Sequence, residues 1–101
     1  MNGSTTSMDA PPESYLEEAA RITSEDRNRD YGHPLDNHSR TAAMWSAFLG
    51  VEITPEDVCW MNVLQKAARE VNRPKRDNRV DVIGWIRNIE MIEEERVRRA
   101  G

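Results

Sequence analysis

The chain has 101 residues, of which 38% are apolar and 32% charged, and its mean hydropathy is −0.79. One small, soluble domain with a thin core fits those figures, and no apolar run approaches the roughly 18–20 residues that cross a bilayer. A net charge of −4 argues against generalised DNA binding, and Cys59, the single cysteine, excludes an internal disulfide or a multi-cysteine zinc site.

Residues 1–10 are polar, lack the basic start and apolar stretch of a signal peptide, and read as a flexible tail. Residues 11–101 read as one helical domain, at home in a reducing cytoplasm. After Pro11-Pro12 a first helix is expected from about Glu13 to Ser24, with Tyr15, Ala19 and Ile22 on one face. Residues 25–35 carry mixed charge, then Tyr31-Gly32-His33-Pro34, and read as a structured loop. A second helix should start near Leu35–Asn37, capped by Asp36 or Asn37, and end at Leu49 before Gly50. Thr54-Pro55-Glu56-Asp57 marks a clear third start, with an N-cap, proline in the first turn and early acids. Val58, Met61, Leu64, Ala68 and Val71 continue that helix to about Asn72, where Pro74 forbids extension. The last helix is expected from about Arg79 to Arg98, capped by Asp77 or Asn78, with Val82, Ile83, Ile86 and Ile89 on its apolar face. No sustained period-two alternation occurs, so the expected fold is all-α: a compact four-helix bundle with short connections. Four short helices and several spare aromatic residues point to a homodimer or higher oligomer.

Three places can carry chemistry. In the loop, Arg29 can pair with an anion, and Tyr31 and His33 can stack on a base or bind phosphate; the alternative is a packing plug. Between the last two helices, Lys66, Arg69, Arg73, Lys75, Arg76 and Arg79 face only Glu70 and Asp77, a local charge of +4. That patch suits phosphates, and its alternative is a solvated helix tip. Asp77 and Asp81, four apart, can hold Mg²⁺ through oxygen ligands, or Asp77 is a cap and Asp81 an ion-pair partner. Among Trp45, Trp60 and Trp85, one is a candidate base-stacking platform and the rest suit core or interface. Cys59 reads as a buried filler.

Several blocks together resemble a known family. They are Arg29-Asp30-Tyr31-Gly32-His33-Pro34 with Asn37, Leu49-Gly50-x-x-Ile53-Thr54-Pro55-Glu56-Asp57-Val58, Lys66-x-x-Arg69, and Asp77-x-x-x-Asp81-x-x-Gly84-Trp85. The family comprises small helical proteins, encoded mainly by bacteriophages and prophages and known as a domain of unknown function. It is more distantly similar to phage nucleotide-modification-associated domains and to all-α nucleoside triphosphate pyrophosphohydrolases of MazG type. The latter resemblance implies an oligomeric helical bundle that holds Mg²⁺ on acid pairs from two helices. Here the second pair falls at Asn78-x-x-Asp81, and Glu70 is the sole acid in the second half of the third helix.

Two functions follow, with a third from a different class. The first is a module that binds a nucleotide or nucleotide-derived signal through Arg29, Tyr31, His33, Lys66, Arg69, Arg73 and Arg79, sequestering it from host defence. That function needs no cofactor. The second is a Mg²⁺-dependent pyrophosphohydrolase, with Asp77 and Asp81 catalytic and Glu70 a further metal ligand. The third is a protein–protein adaptor without a small ligand.

Overall fold

The computed structural model describes residues 11–101, without the side chains at 25–27. The expected tail at 1–10 lies outside the described residues. All regular structure among the described residues is helical: α1 (Tyr15–Ile22), α2 (Glu25–Tyr31), α3 (Pro34–Leu49), α4 (Pro55–Asn72) and α5 (Arg76–Ala100). The fold is therefore all-α, but with five helices rather than four.

Local chemistry explains most boundaries. Ser14 caps α1 in a capping box with Glu17, and Thr54 caps α4 in one with Asp57, with Pro55 in the first turn. Gly50 closes α3 in the left-handed conformation, with φ of 73°.

Three expectations change. The segment read as a loop forms α2, a helix of seven residues that ends at Gly32 with φ of 82°. It packs only lightly on α3, which also ties its end through the Arg40 guanidinium, donating to the Tyr31 carbonyl oxygen at 3.2 Å. The next helix starts at Pro34, not at Leu35–Asn37. Its cap is His33, whose Nδ1 accepts from the Leu35 N–H at 3.0 Å. The last helix starts at Arg76, with neither Asp77 nor Asn78 as its cap. Glu70 takes over that task from α4: its Oε1 accepts from the Lys75 N–H at 2.9 Å and from the Asn78 side chain at 3.2 Å.

Helix α5 is the spine, with α1, α3 and α4 packed along it. The smallest dimension of the molecule is 20 Å, about two helix diameters. In so thin a body few side chains are fully enclosed; the largest are Ile92, Val58, Val80 and Cys59. Burial pushes the Cys59 thiol up to about 12, as suits an inert filler. Along the two ends of the spine, charge fastens the layers. Arg76 pairs with Glu18, Arg96 with Glu56, and Arg99 with Asp36 and Glu95. No described helix is long and apolar enough to cross a membrane.

Candidate functional site

The end of α1 and helices α2 to α5 surround an open-sided cavity of about 450 Å³, within the usual range for small-molecule sites. Tyr31 at the end of α2, Asn37 and His38 on α3, Asn62 and Gln65 on α4, and Trp85 and Asn88 on α5 contribute to its wall. A second, more open hollow of about 590 Å³ lies between α4 and α5. Arg69, Arg73, Lys75, Asp77 and Asn78 line it. The two hollows share Gln65, Lys66 and Asp81. At this junction Lys66 Nζ lies 2.9 Å from Asp81 Oδ2.

The basic hollow differs from the rest of the surface. Arg21, Arg76, Arg79, Arg87, Arg96, Arg98 and Arg99 all bind carboxylates. Arg69 and Arg73, both exposed, have no partner for their side chains among the described residues, and the Lys75 ammonium has none either. Three cations without ion-pair partners among the described residues thus line one concavity, with Asp77 the one unpaired acid beside them.

The structure separates the residues singled out in the sequence. Lys66, Arg69, Arg73, Asp77 and Asp81 come together, and Tyr31 lines the adjoining cavity. Arg79 does not project into either hollow. Its guanidinium binds Glu70 at 2.7 Å and the Tyr15 hydroxyl at 3.0 Å. Arg29 is exposed on α2 and lines neither hollow. His33 caps α3 through one nitrogen, while the other lies 3.9 Å from Glu95. Glu70 is held below the usual carboxylate range by the Lys75 N–H, then by Arg79 and Asn78. Among the described residues no three His, Cys, Asp or Glu side chains form a metal-ligating group. Glu70 is occupied at the helix junction and Asp81 is neutralised by Lys66, so this donor set does not fit the Mg²⁺ centre expected from Glu70, Asp77 and Asp81.

Of the tryptophans, Trp85 is the one in the cavity. Its ring lies 5.1 Å from that of His38, tilted by 43°. Sequence reasoning missed His38, Asn62, Gln65 and Asn88. A signal existed for three of them: His38 shares a stripe with Ala42, four residues on, Asn62 falls four residues after Val58, and Asn88 four after Gly84.

Burial holds the His38 imidazole below its ordinary value near 6.5, with the Asn88 hydrogen bond acting in the opposite sense. The unfolded chain therefore takes up a proton there before the folded one does. The stability that this group contributes is complete above about pH 6.5 and is lost as pH falls through the lower folded value. Melting temperature should drop between pH 7 and pH 5 in the parent protein. His38→Phe should flatten that slope, and equal slopes in both proteins would refute the assignment. Carboxylates act lower: Arg98 and Arg99 hold Glu95 at about 2, so its share persists above about 4.5 and is lost towards pH 2.

Together these features define a small all-helical protein with a two-part groove: an amide- and aromatic-lined cavity opening beside a basic trough. The chain belongs to the family described as domain of unknown function DUF6378, which matches residues 14–93. It is also similar to the Gene 55 protein of Mycobacterium phage D29, with 40% identity over 86 residues, covering 84% of this chain and 57% of the relative. The Gene 55 protein of Mycobacterium phage L5 is likewise 40% identical over 88 residues, covering 82% of this chain and 56% of the relative. The chain thus spans just over half the length of these curated relatives. No solved structure matches it.

Proposed function

We propose that this protein binds a nucleotide or a nucleotide-derived signal, with the phosphates in the α4–α5 trough. The observation that carries this reading is the trio of Arg69, Arg73 and Lys75, without partners among the described residues and gathered in one hollow. In a chain that pairs most of its arginines, cations left open in a concavity suit a multiply charged anion. Lys66 adds a fourth positive group at the mouth of the cavity when phosphate competes with Asp81 for it. Tyr31 and Trp85 supply flat surfaces next door.

Binding is favoured over hydrolysis because the acids near the trough are already engaged or isolated from a metal-ligating group. Holding a signal intact is a sufficient activity for such a site, and a nucleotide signal of host defence is the ligand that this reading assigns to it. Exposed Trp60 and Leu64 on α4 and Phe48 on α3, at 50%, 67% and 88%, support a homodimer or higher oligomer.

One incubation tests the reading. Purified protein is mixed with nucleoside triphosphates and with cyclic and ADP-ribose-type signals, with Mg²⁺ and Mn²⁺. Unbound ligand is removed, the protein is denatured, and both fractions are analysed by mass spectrometry. The expected result is a ligand depleted from solution and recovered intact. Appearance of monophosphate and pyrophosphate would replace binding by pyrophosphohydrolysis, and every compound remaining free would leave the adaptor function.

A further inference from the structure

Asn88 fixes the protonation of His38. The Asn88 side-chain nitrogen donates to the Gly84 carbonyl oxygen at 2.8 Å. A carbonyl oxygen can only accept, so the amide has one orientation. Its Oδ1 then faces His38 Nε2 at 2.9 Å, and that nitrogen must carry the proton. The neutral ring therefore keeps an unshared electron pair on Nδ1.

His38 is only 6% exposed, and Nδ1 has no partner among the described residues. Yet none of the described buried side-chain nitrogen or oxygen atoms is sealed off without a hydrogen bond. Nδ1 thus retains an opening, and the space that His38 lines is the cavity. An N–H donor that enters the cavity can therefore reach this acceptor.

The surroundings specify what that donor belongs to. Trp85 stacks obliquely on the imidazole and holds its plane. Asn62 donates its amide nitrogen to the Val58 carbonyl oxygen at 2.9 Å, leaving Oδ1 to accept. Gln65, at the junction with the basic trough, has no side-chain partner among the described residues. A flat molecule with polar groups in its plane matches this combination of aromatic wall and carboxamides.

We infer that the cavity is a nucleobase compartment in which His38 Nδ1 accepts a ring or exocyclic N–H from the base. The inference rests on the nucleotide reading above and adds the part of the ligand that gives specificity. The base lies between Trp85 and the α4 amides, and the phosphates run past Lys66 onto Arg69 and Arg73. His38 is the specificity-determining residue, because an apolar ring in its place would offer the N–H nothing to bind.

Calorimetric titration of the full chain tests this, comparing the four common nucleoside triphosphates with inorganic tripolyphosphate. At least one nucleotide should bind ten-fold or more tightly than tripolyphosphate. His38→Phe should erase that advantage and leave tripolyphosphate affinity within two-fold, while His38→Gln, which restores an acceptor oxygen, should recover part of it. Should either variant fail to fold, the preferred nucleotide with its base N–H methylated, offered to the parent protein, should bind no better than tripolyphosphate. If the base adds nothing in the parent protein, or the preference survives in His38→Phe or after methylation, the compartment is refuted while the phosphate trough stands. If neither tripolyphosphate nor any nucleotide binds, the nucleotide reading itself fails.

Discussion

Reversing two charges together, Arg69→Glu and Arg73→Glu, is expected to weaken nucleoside triphosphate binding by about 100-fold or more. Each substitution removes a charge-assisted contact, and each adds a carboxylate that repels the phosphates. Both side chains line the trough without partners among the described residues, so the double variant should fold like the parent. Raising salt should weaken the parent complex and have much less effect on what remains of the variant's. Arg79→Ala is the informative control. Sequence alone makes Arg79 part of the same patch, but its guanidinium is held by Glu70 and Tyr15. Calorimetry should therefore show near-parent affinity for Arg79→Ala. A loss as large as that of the double reversal would mean that the trough is not where phosphate binds.

The second large effect concerns stability. Ile92→Ala should destabilise the protein by about 3 kcal/mol, the usual cost of emptying a well-packed aliphatic site. Ile92 is fully enclosed and is the largest such side chain. A thin body has few neighbours able to collapse into the space, which pushes the cost upward. Against a total stability of roughly 5–15 kcal/mol for ordinary domains, that is a severe loss. Val97→Ala, five residues further along α5 and 74% exposed in the parent, should change stability by less than about 0.5 kcal/mol. Urea titrations of both variants measure the difference directly, and equal midpoints would show that Ile92 does not anchor the core.

How far the sequence discloses this molecule differs from helix to helix. Helix α4 is legible throughout, because Thr54, Pro55 and Asp57 start it by local chemistry and Pro74 stops it. Helix α2 is hidden from periodicity: it has seven residues, and no apolar repeat advertises it. The start of α5 is misread for a different reason. Its own Asp77 and Asn78 look like caps, whereas Glu70 serves it from the preceding helix. The basic trough is partly legible, since clustered Lys and Arg show as composition. Which of them are open is not legible, because pairing is tertiary: Arg79 and Arg73 look alike until Glu70 takes one of them. The cavity is least visible. Helical spacing places His38, Asn62 and Asn88 on inward stripes, but only packing of α3, α4 and α5 brings them with Gln65 to one space.

The last turns of α5 carry a practical lesson for dissecting this chain. The family match ends at residue 93, and a fragment designed on that match would end there as well. Such a fragment would discard Glu95, Arg96 and Arg99, through which α5 grips Asp36 at the front of α3 and Glu56 at the front of α4. Those two helices bring His38, Asn62 and Lys66 to the groove. The segment that the family match covers therefore lacks ion pairs that tie the pocket walls to the spine.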